Sequence, residues 1–299
     1  MPEIVESIVS QTFSDYKIVI RDDFSPENPE KIVADIKKKY RKIEIEYTRN
    51  RKNVGEMQNI MLALAENFNK NFKYLVNLQD DTIYSDKNFL KNAINALEKN
   101  PDAGFCNGLF FWHGNAPKLI KTPENEKFIK ISGHDFYANW DNFASNWTAT
   151  VFRFDEFFSY VFSSEKQDVM NQDSLLLLRL ALKSKNVLLY NNPVSEIAFK
   201  QGKGNYETMY KDVVDKFQKV QKYFEYATES AKKSGVNPEF ADAKLFEFRL
   251  NCARAVLNHT ISDREKFQEF VKISAKSDER LLQVLMNDLA ENFRKPAKT

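Results

Sequence analysis

The stretch Tyr74-Leu75-Val76-Asn77-Leu78-Gln79-Asp80-Asp81-Thr82 limits the fold of this chain more than any other segment. Its first half is apolar and β-prone, the pattern of a buried strand. It then stops on two adjacent carboxylates, which a core would not accept unpaired. The same grammar occurs earlier, where Tyr16-Lys17-Ile18-Val19-Ile20-Arg21 runs into Asp22-Asp23-Phe24-Ser25-Pro26. In open α/β sheets, ligands bind beyond the carboxyl ends of the strands, where these acids would sit. Carboxylate oxygens in such a place suit a hard divalent cation, Mn²⁺ or Mg²⁺, shared with a substrate phosphate. The competing reading of Asp80-Asp81-Thr82 is a turn that caps the next helix.

Helical patterns separate these strands. Ile4, Ile8 and Val9 form one face, Ile32, Val33 and Ile36 another after Pro29, and Met57–Phe68 a third after the turn Asn53-Val54-Gly55. Ile43-Glu44-Ile45-Glu46-Tyr47 alternates strictly and reads as a strand; Asn88–Leu97 reads as a helix and Gly104–Trp112 as a strand. Strands and helices alternating at this spacing predict an α/β fold with a mostly parallel, doubly wound sheet. From Tyr206 the pattern becomes wholly helical, with Val213, Val214, Phe217, Val220 and Phe224 at three- and four-residue steps, and further helices over 242–258, 263–274 and 279–293. The reading is therefore a domain over 1–205 and a helical region over 206–299.

Composition removes several function classes. A formal net charge of +2 gives no footprint for nucleic acid. Cys106 and Cys252 lie far apart with no metal-ligand spacing, as buried thiols in a reducing compartment would. No run of about 18 apolar residues predicts a membrane-spanning helix, and no secretory signal pattern opens the chain. A cytoplasmic protein is expected, with a basic end, Arg294-Lys295-Pro296-Ala297-Lys298, that could bring it to the inner face of a membrane. His113, His134 and His259 are isolated and read as structural.

Ser7-Ile8-Val9-Ser10-Gln11-Thr12-Phe13, then Ile18-Val19-Ile20-Arg21-Asp22-Asp23-Phe24-Ser25, then Asn53-Val54-Gly55 with Asn59, then Leu78-Gln79-Asp80-Asp81 together resemble the family 2 glycosyltransferases. The resemblance covers about residues 3 to 200 and rests on the order and spacing of motifs that are weak singly. It implies the GT-A fold and transfer of a sugar, mostly with inversion, from a nucleoside diphosphate sugar to an acceptor hydroxyl, in surface polysaccharide or glycan synthesis with a glycan or lipid-linked acceptor. It places Asp22 and Asp23 on the nucleotide base and ribose, with Asn53 and Gly55 also on the donor side. Asp81 would be the metal ligand, Asp80 would contact the ribose or a metal-bound water, and Gln79 stands where a leading acid is usual.

Asn171-Gln172-Asp173-Ser174 resembles the family's Glu-Asp motif at a helix start. It makes Asp173 the catalytic base that takes the proton of the attacking hydroxyl; the residues alone equally allow a helix N-cap. Asn146–Arg153 matches the acceptor-side strand, where Trp147 and Trp140 could stack on a sugar or belong to the core. The late metal-ligating His of the family has no counterpart in the loop 197–205, where Lys200 or Lys203 could offset diphosphate charge. Family members begin with a strand ending in a Pro-x-Tyr-Asn-like turn, and Met1 falls after it, which leaves ladder groups unpaired; either the true start lies upstream, or another segment substitutes, or the nucleotide site is impaired. A non-catalytic GT-A-like binding or scaffold protein is the alternative. A nucleotidyltransferase is disfavoured, because no Gly-rich activation loop is present. For the helical region, self-association is one of the roles open.

Overall fold

Pro2 opens the first helix, α1 (Pro2–Val9), whose Val5 is buried while Ile8 packs partly against the core. It leads to β1 (Lys17–Asp22), α2 (Glu30–Lys39), β2 (Glu44–Arg49) and α3 (Glu56–Asn67). β1 and β2 pair in parallel from Lys17↔Glu44 to Asp22↔Arg49 and form a sheet of their own. Val5, Ile18, Ile36 and Ile45 make the small core beneath it. These are the apolar positions that the helix and strand periodicities assign to one side of each element.

The computed structural model describes residues 1–27, 29–112, 120, 126–140, 143, 145–163, 172–197, 213–260 and 264–294. The chain divides into two units, Met1–Lys166 with Lys183–Phe199, and Gln167–Leu182 with Lys200–Thr299. The first unit holds both sheets. Its larger sheet contains β3 (Tyr74–Leu75), β4 (Thr82–Tyr84), β5 (Ala103–Trp112), β6 (Phe128–Ser132), β7 (Thr150–Arg153) and β8 (Asn186–Ile197), in the order β3-β7-β5-β8-β4, with β6 also on β8. Helices α4 (Phe89–Lys99), α5 (Gly133–Ala138) and α6 (Phe154–Val161) accompany these strands.

The α/β expectation holds, with mixed pairing inside it. β5 and β8 run parallel, as β1 and β2 do, whereas β3–β7, β5–β7, β4–β8 and β6–β8 are antiparallel. β8 is the axis of the larger sheet. One of its edges carries β5, and its other edge carries β6 along Asn186–Tyr190 and β4 along Ser195–Ile197. The changeover falls at Pro193, which has no N–H to give a ladder, and the β5–β8 register shifts there. Gly108 of β5 faces Val194, and a Cβ on it would come within 2.7 Å of Val194 Cγ1. The strands approach so closely there that only glycine fits. Phe89, Leu97, Cys106, Val151 and Leu188, all buried, are part of the core of this sheet.

The segment Tyr74–Leu78, read above as one strand, is ladder-bonded only at Tyr74 and Leu75. Among the described residues no strand pairs with its other side, nor with the free side of β1. Among the described residues no strand bridges β1 and β3, and the two sheets stay separate. An apolar, β-prone sequence becomes a strand only where a partner supplies the opposite half of each hydrogen bond.

The second unit is helical. It holds α7 (Gln172–Lys183) up to Leu182, α8 (Val213–Lys233), α9 (Pro238–Thr260), α10 (Arg264–Ser277) and α11 (Glu279–Arg294). Phe217, Ala253, Phe270, Leu281 and Leu285 are central to its core. Among the described residues no helix is long and apolar enough to cross a membrane.

Candidate active site

The acid pair after β1 is built into the protein by hydrogen bonds. Asp22 is buried, and its Oδ1 accepts from the Ser25 amide at 2.9 Å and the Ser25 hydroxyl at 2.6 Å. Its Oδ2 lies 2.9 Å from Arg49 Nε, its register partner on β2, as an ion pair without hydrogen-bond alignment. Arg49 also donates to the Ser25 carbonyl and lies over the Phe24 ring at 5.0 Å. Phe24 is half exposed and has φ 63°, a left-handed conformation uncommon for a bulky residue.

Asp23 organises the loop opposite. Its Oδ1 accepts from Asn50 Nδ2 at 2.8 Å and from the Val54 amide at 2.9 Å, and its Oδ2 accepts from the Gly55 amide at 2.8 Å. Asn53 donates to the Asp23 carbonyl, and its Oδ1 accepts from the Gly55 amide. Burial alone would raise the Asp23 carboxyl; the bonds from Val54, Asn50 and Gly55 and the nearby Arg21 charge outweigh it and hold the carboxyl below its usual range. Gly55 has φ 84° and ψ 156°, a region open essentially to glycine alone, and it stands at the N-cap of α3. Asn50 also accepts from Arg21 and donates to Asn59, while Asn59 donates to the Arg21 carbonyl.

The second acid pair meets this network at the first turn of α3. Glu56, the residue after Gly55, accepts from Gln79 Nε2 at 2.7 Å. Asp80 and Asp81 follow directly in the turn between β3 and β4. Asp23 and Gln79, the residue before the Asp80-Asp81 turn, therefore both hold the start of α3, at Gly55 and Glu56. Backbone N–H groups left free at such a terminus, with the helix dipole behind them, favour an anion.

Asp81 is open to water on its outer side, yet the protein around it displaces enough solvent to raise its carboxyl. A hydrogen bond from Thr82 Oγ1 opposes the rise, and the Asp80 charge adds to it. No Lys or Arg is among the groups that shift the Asp81 carboxyl. Among the described residues no group of three or more His, Cys, Asp or Glu could hold a metal ion. Two adjacent carboxylates fit a hard cation whose remaining ligands are waters and phosphate oxygens.

Asp173 lies in the first turn of α7, in the helical unit. It is partly buried, and desolvation raises its carboxyl against hydrogen bonds from Ser174 and its own amide. Lys200, Lys203 and His113 lie outside the described residues, as do the side chain of Gln172 and the basic end from Lys295. Trp147 is buried and belongs to the core, whereas Trp140 is half-buried and meets Phe136 edge-on at 5.3 Å. Sequence reasoning missed Arg21, Asn50 and Glu56. Their signal was faint: each borders a motif, but a polar residue at a strand end or a helix start is ordinary.

The Ser7–Phe13 motif has a mechanical part. Ser7 Oγ accepts from the Tyr84 amide, Gln11 Nε2 donates to the Asp86 carbonyl, and Gln11 Oε1 accepts from the Leu90 amide. The motif thus bolts α1 to β4 and to the start of α4, directly downstream of the Asp80-Asp81 turn.

A Rossmann-like α/β unit with acid pairs at its strand ends is the architecture of GT-A transferases. The sequence profile of glycosyl transferase family 2 matches residues 1–157. The chain belongs to that family and is a glycosyltransferase. No curated protein matches it in sequence. Among solved structures, S. aureus TarS 1-349 in complex with UDP-GlcNAc superposes with a TM-score of 0.65 at 13% identity, over 93% of this chain and 78% of that one. The mannosyltransferase PcManGT from Pyrobaculum calidifontis, in complex with GDP-Man and Mn²⁺, gives 0.55 at 16% identity, over 98% and 76%. At these identities the likeness is one of fold.

Proposed function

We infer that the protein transfers a sugar from a nucleoside diphosphate donor to an acceptor hydroxyl with inversion at the anomeric carbon. The observation that carries this reading is the meeting of the Asp22-Asp23 and Asp80-Asp81 turns at the N-terminus of α3, through the Asp23–Gly55 and Glu56–Gln79 bonds. Asp22, Asp23, Asn53 and Gly55 form the nucleoside side, and Asp80 and Asp81 face the diphosphate, with Lys200 assigned to the same charge. Asp81, with Asp80 beside it, would hold Mn²⁺ or Mg²⁺, which when bound supplies positive charge against the departing diphosphate. The complexes of TarS with UDP-GlcNAc and of PcManGT with GDP-Man and Mn²⁺ support a donor and a metal of this class.

Asp173 receives the proton from the acceptor oxygen as that oxygen attacks the anomeric carbon and the bond to diphosphate breaks. Burial keeps its carboxylate eager for that proton. The acceptor belongs to glycan or lipid-linked chemistry, in surface polysaccharide synthesis, at the cytoplasmic face of the membrane. Residues 1–205 form the transferase domain; 206–299 form a helical region suited to packing or self-association.

The test is thermal stability during titration with UDP, GDP and TDP, each with and without Mn²⁺, since a ligand that binds only the folded state must raise it. A metal-dependent rise with one nucleotide, abolished in Asp81→Ala, is the expected result. No rise with any of them would favour a non-catalytic relative.

A further inference from the structure

Cations crowd one corner of the first unit. Lys37, Lys38, Lys39, Arg41 and Lys42 fall within six consecutive residues, at the end of α2 and in the turn to β2, and all five are exposed. Lys31, also exposed, lies about two helical turns before Lys38 on the same outward line of α2. Among the described residues only Lys39 of these six forms an ion pair, with Glu6. Arg41 donates to the Lys38 carbonyl. An open cleft of about 690 Å³ runs among Lys38, Lys39, Arg41 and Lys42, and Asp35 is the acid on its wall.

A cation or two in the last turn of a helix answers its dipole. Five in six residues exceed that need, and Arg41 and Lys42 lie past the end of α2. The formal net charge of the chain is only +2, so what lies outside this corner is net acidic. A molecule polarised in this way turns its basic corner, and no other part, toward an anionic surface. We propose that the α2 corner docks the protein on a membrane of anionic lipids, with headgroup phosphates spread over Lys31, Lys37, Lys38, Arg41 and Lys42. A cluster of about four to eight Lys or Arg on one helix is the pattern that such a surface attracts.

The side chains favour lipid over a protein partner. Lys supplies most of the charge, as mobile point charges that suit headgroups free to rearrange and that are depleted where proteins pack together. Ile32 is the one large apolar side chain of α2 that is strongly exposed, too little to anchor a protein interface. Nor do these cations serve the donor diphosphate. β1 and β2 run parallel, so the Asp22-Asp23 turn leaves one end of the pair while Lys42 leads into the other. The 6 residues of β2 put about 20 Å between the two ends. Docked at this corner, the protein holds the Asp22-Asp23 turn away from a surface that would repel it. The docking extends the membrane setting proposed above, and its test needs neither donor nor acceptor, so it stands or falls apart from the transfer reaction.

Co-sedimentation of the intact chain with vesicles tests the docking. The probes are vesicles of phosphatidylcholine alone and vesicles of phosphatidylcholine and phosphatidylglycerol in equal parts. The chain should bind the mixed vesicles, ignore phosphatidylcholine, and come off as salt is raised. Each Lys or Arg near an anionic surface multiplies partitioning about fivefold, so Lys37→Glu, Lys38→Glu and Lys42→Glu together should weaken binding about a hundredfold or more. Arg at the same three positions should keep it. The Glu variant should melt with the parent, since all three side chains are exposed; should it melt lower, Gln at the same positions decides. Lys295→Glu with Lys298→Glu, in the basic end, should leave binding near the parent's. No binding to the mixed vesicles, equal binding to phosphatidylcholine alone, or a loss caused by the basic-end variant and not by the α2 variant would each overturn the proposal. Release by inorganic phosphate at the concentration of lipid phosphate would mark a discrete anion pocket and overturn it. Tighter binding to polyglutamate than to the mixed vesicles would mark an acidic protein as the partner and overturn it too.

Discussion

Asp23 shows how a carboxylate can look like a ligand contact and also hold the site together. Its oxygens accept from Asn50, Val54 and Gly55, so the loop before α3 is fixed by the residue expected to touch the donor. In Asp23→Asn one side-chain oxygen becomes an N–H₂ group facing a backbone N–H. The fold should lose about 1–3 kcal/mol in denaturant unfolding. The lowered carboxyl fixes the pH dependence: the stabilisation is whole above the usual carboxylate range and lost as pH falls through the depressed value. The variant should therefore converge on the parent in acid. Asp173 has the opposite sign. Its raised carboxyl costs the fold stability as pH climbs from the ordinary to the raised value, a cost that Asp173→Asn removes. That variant should be at least as stable as the parent at neutral pH and should keep donor binding. Its turnover should fall by about 10²–10⁴-fold. Unchanged turnover would remove Asp173 from the mechanism.

At the scale of elements, sequence periodicity located the strands and helices well wherever each had a neighbour. β1, β2, β5, α3 and α4 begin within two residues of the positions that alternation and amphipathicity predict. The Tyr74–Leu78 stretch is the exception, since only Tyr74 and Leu75 are paired. Its composition was read correctly as β-prone, but a ladder belongs to two strands, and one sequence segment cannot report the other. The antiparallel members of the larger sheet were likewise hidden, because the alternation of strands with helices carries no direction for β6 or β7. The β5–β8 contact offers a test of how close the strands stand. Gly108→Ala would drive a methyl into Val194 and should cost about 1–3 kcal/mol in the same unfolding assay. Val194→Ala in the same chain should recover part of that loss by making room, a coupling that additive effects would not show.

For the whole molecule, the two motif-bearing turns were legible because acids at strand ends have few structural reasons to occur in pairs. What tied them together was not legible. The Glu56–Gln79 bond joins residues 23 apart, and neither belongs to a pattern by itself. The helical region announced itself by its period, yet nothing in that period foretold that α7, with Asp173, would group with it up to Leu182. Open sheet edges ordinarily invite the edges of other molecules and end in precipitation. Here the described edges of β1 and β3 border the same cleft, so whatever meets one of them meets the other as well.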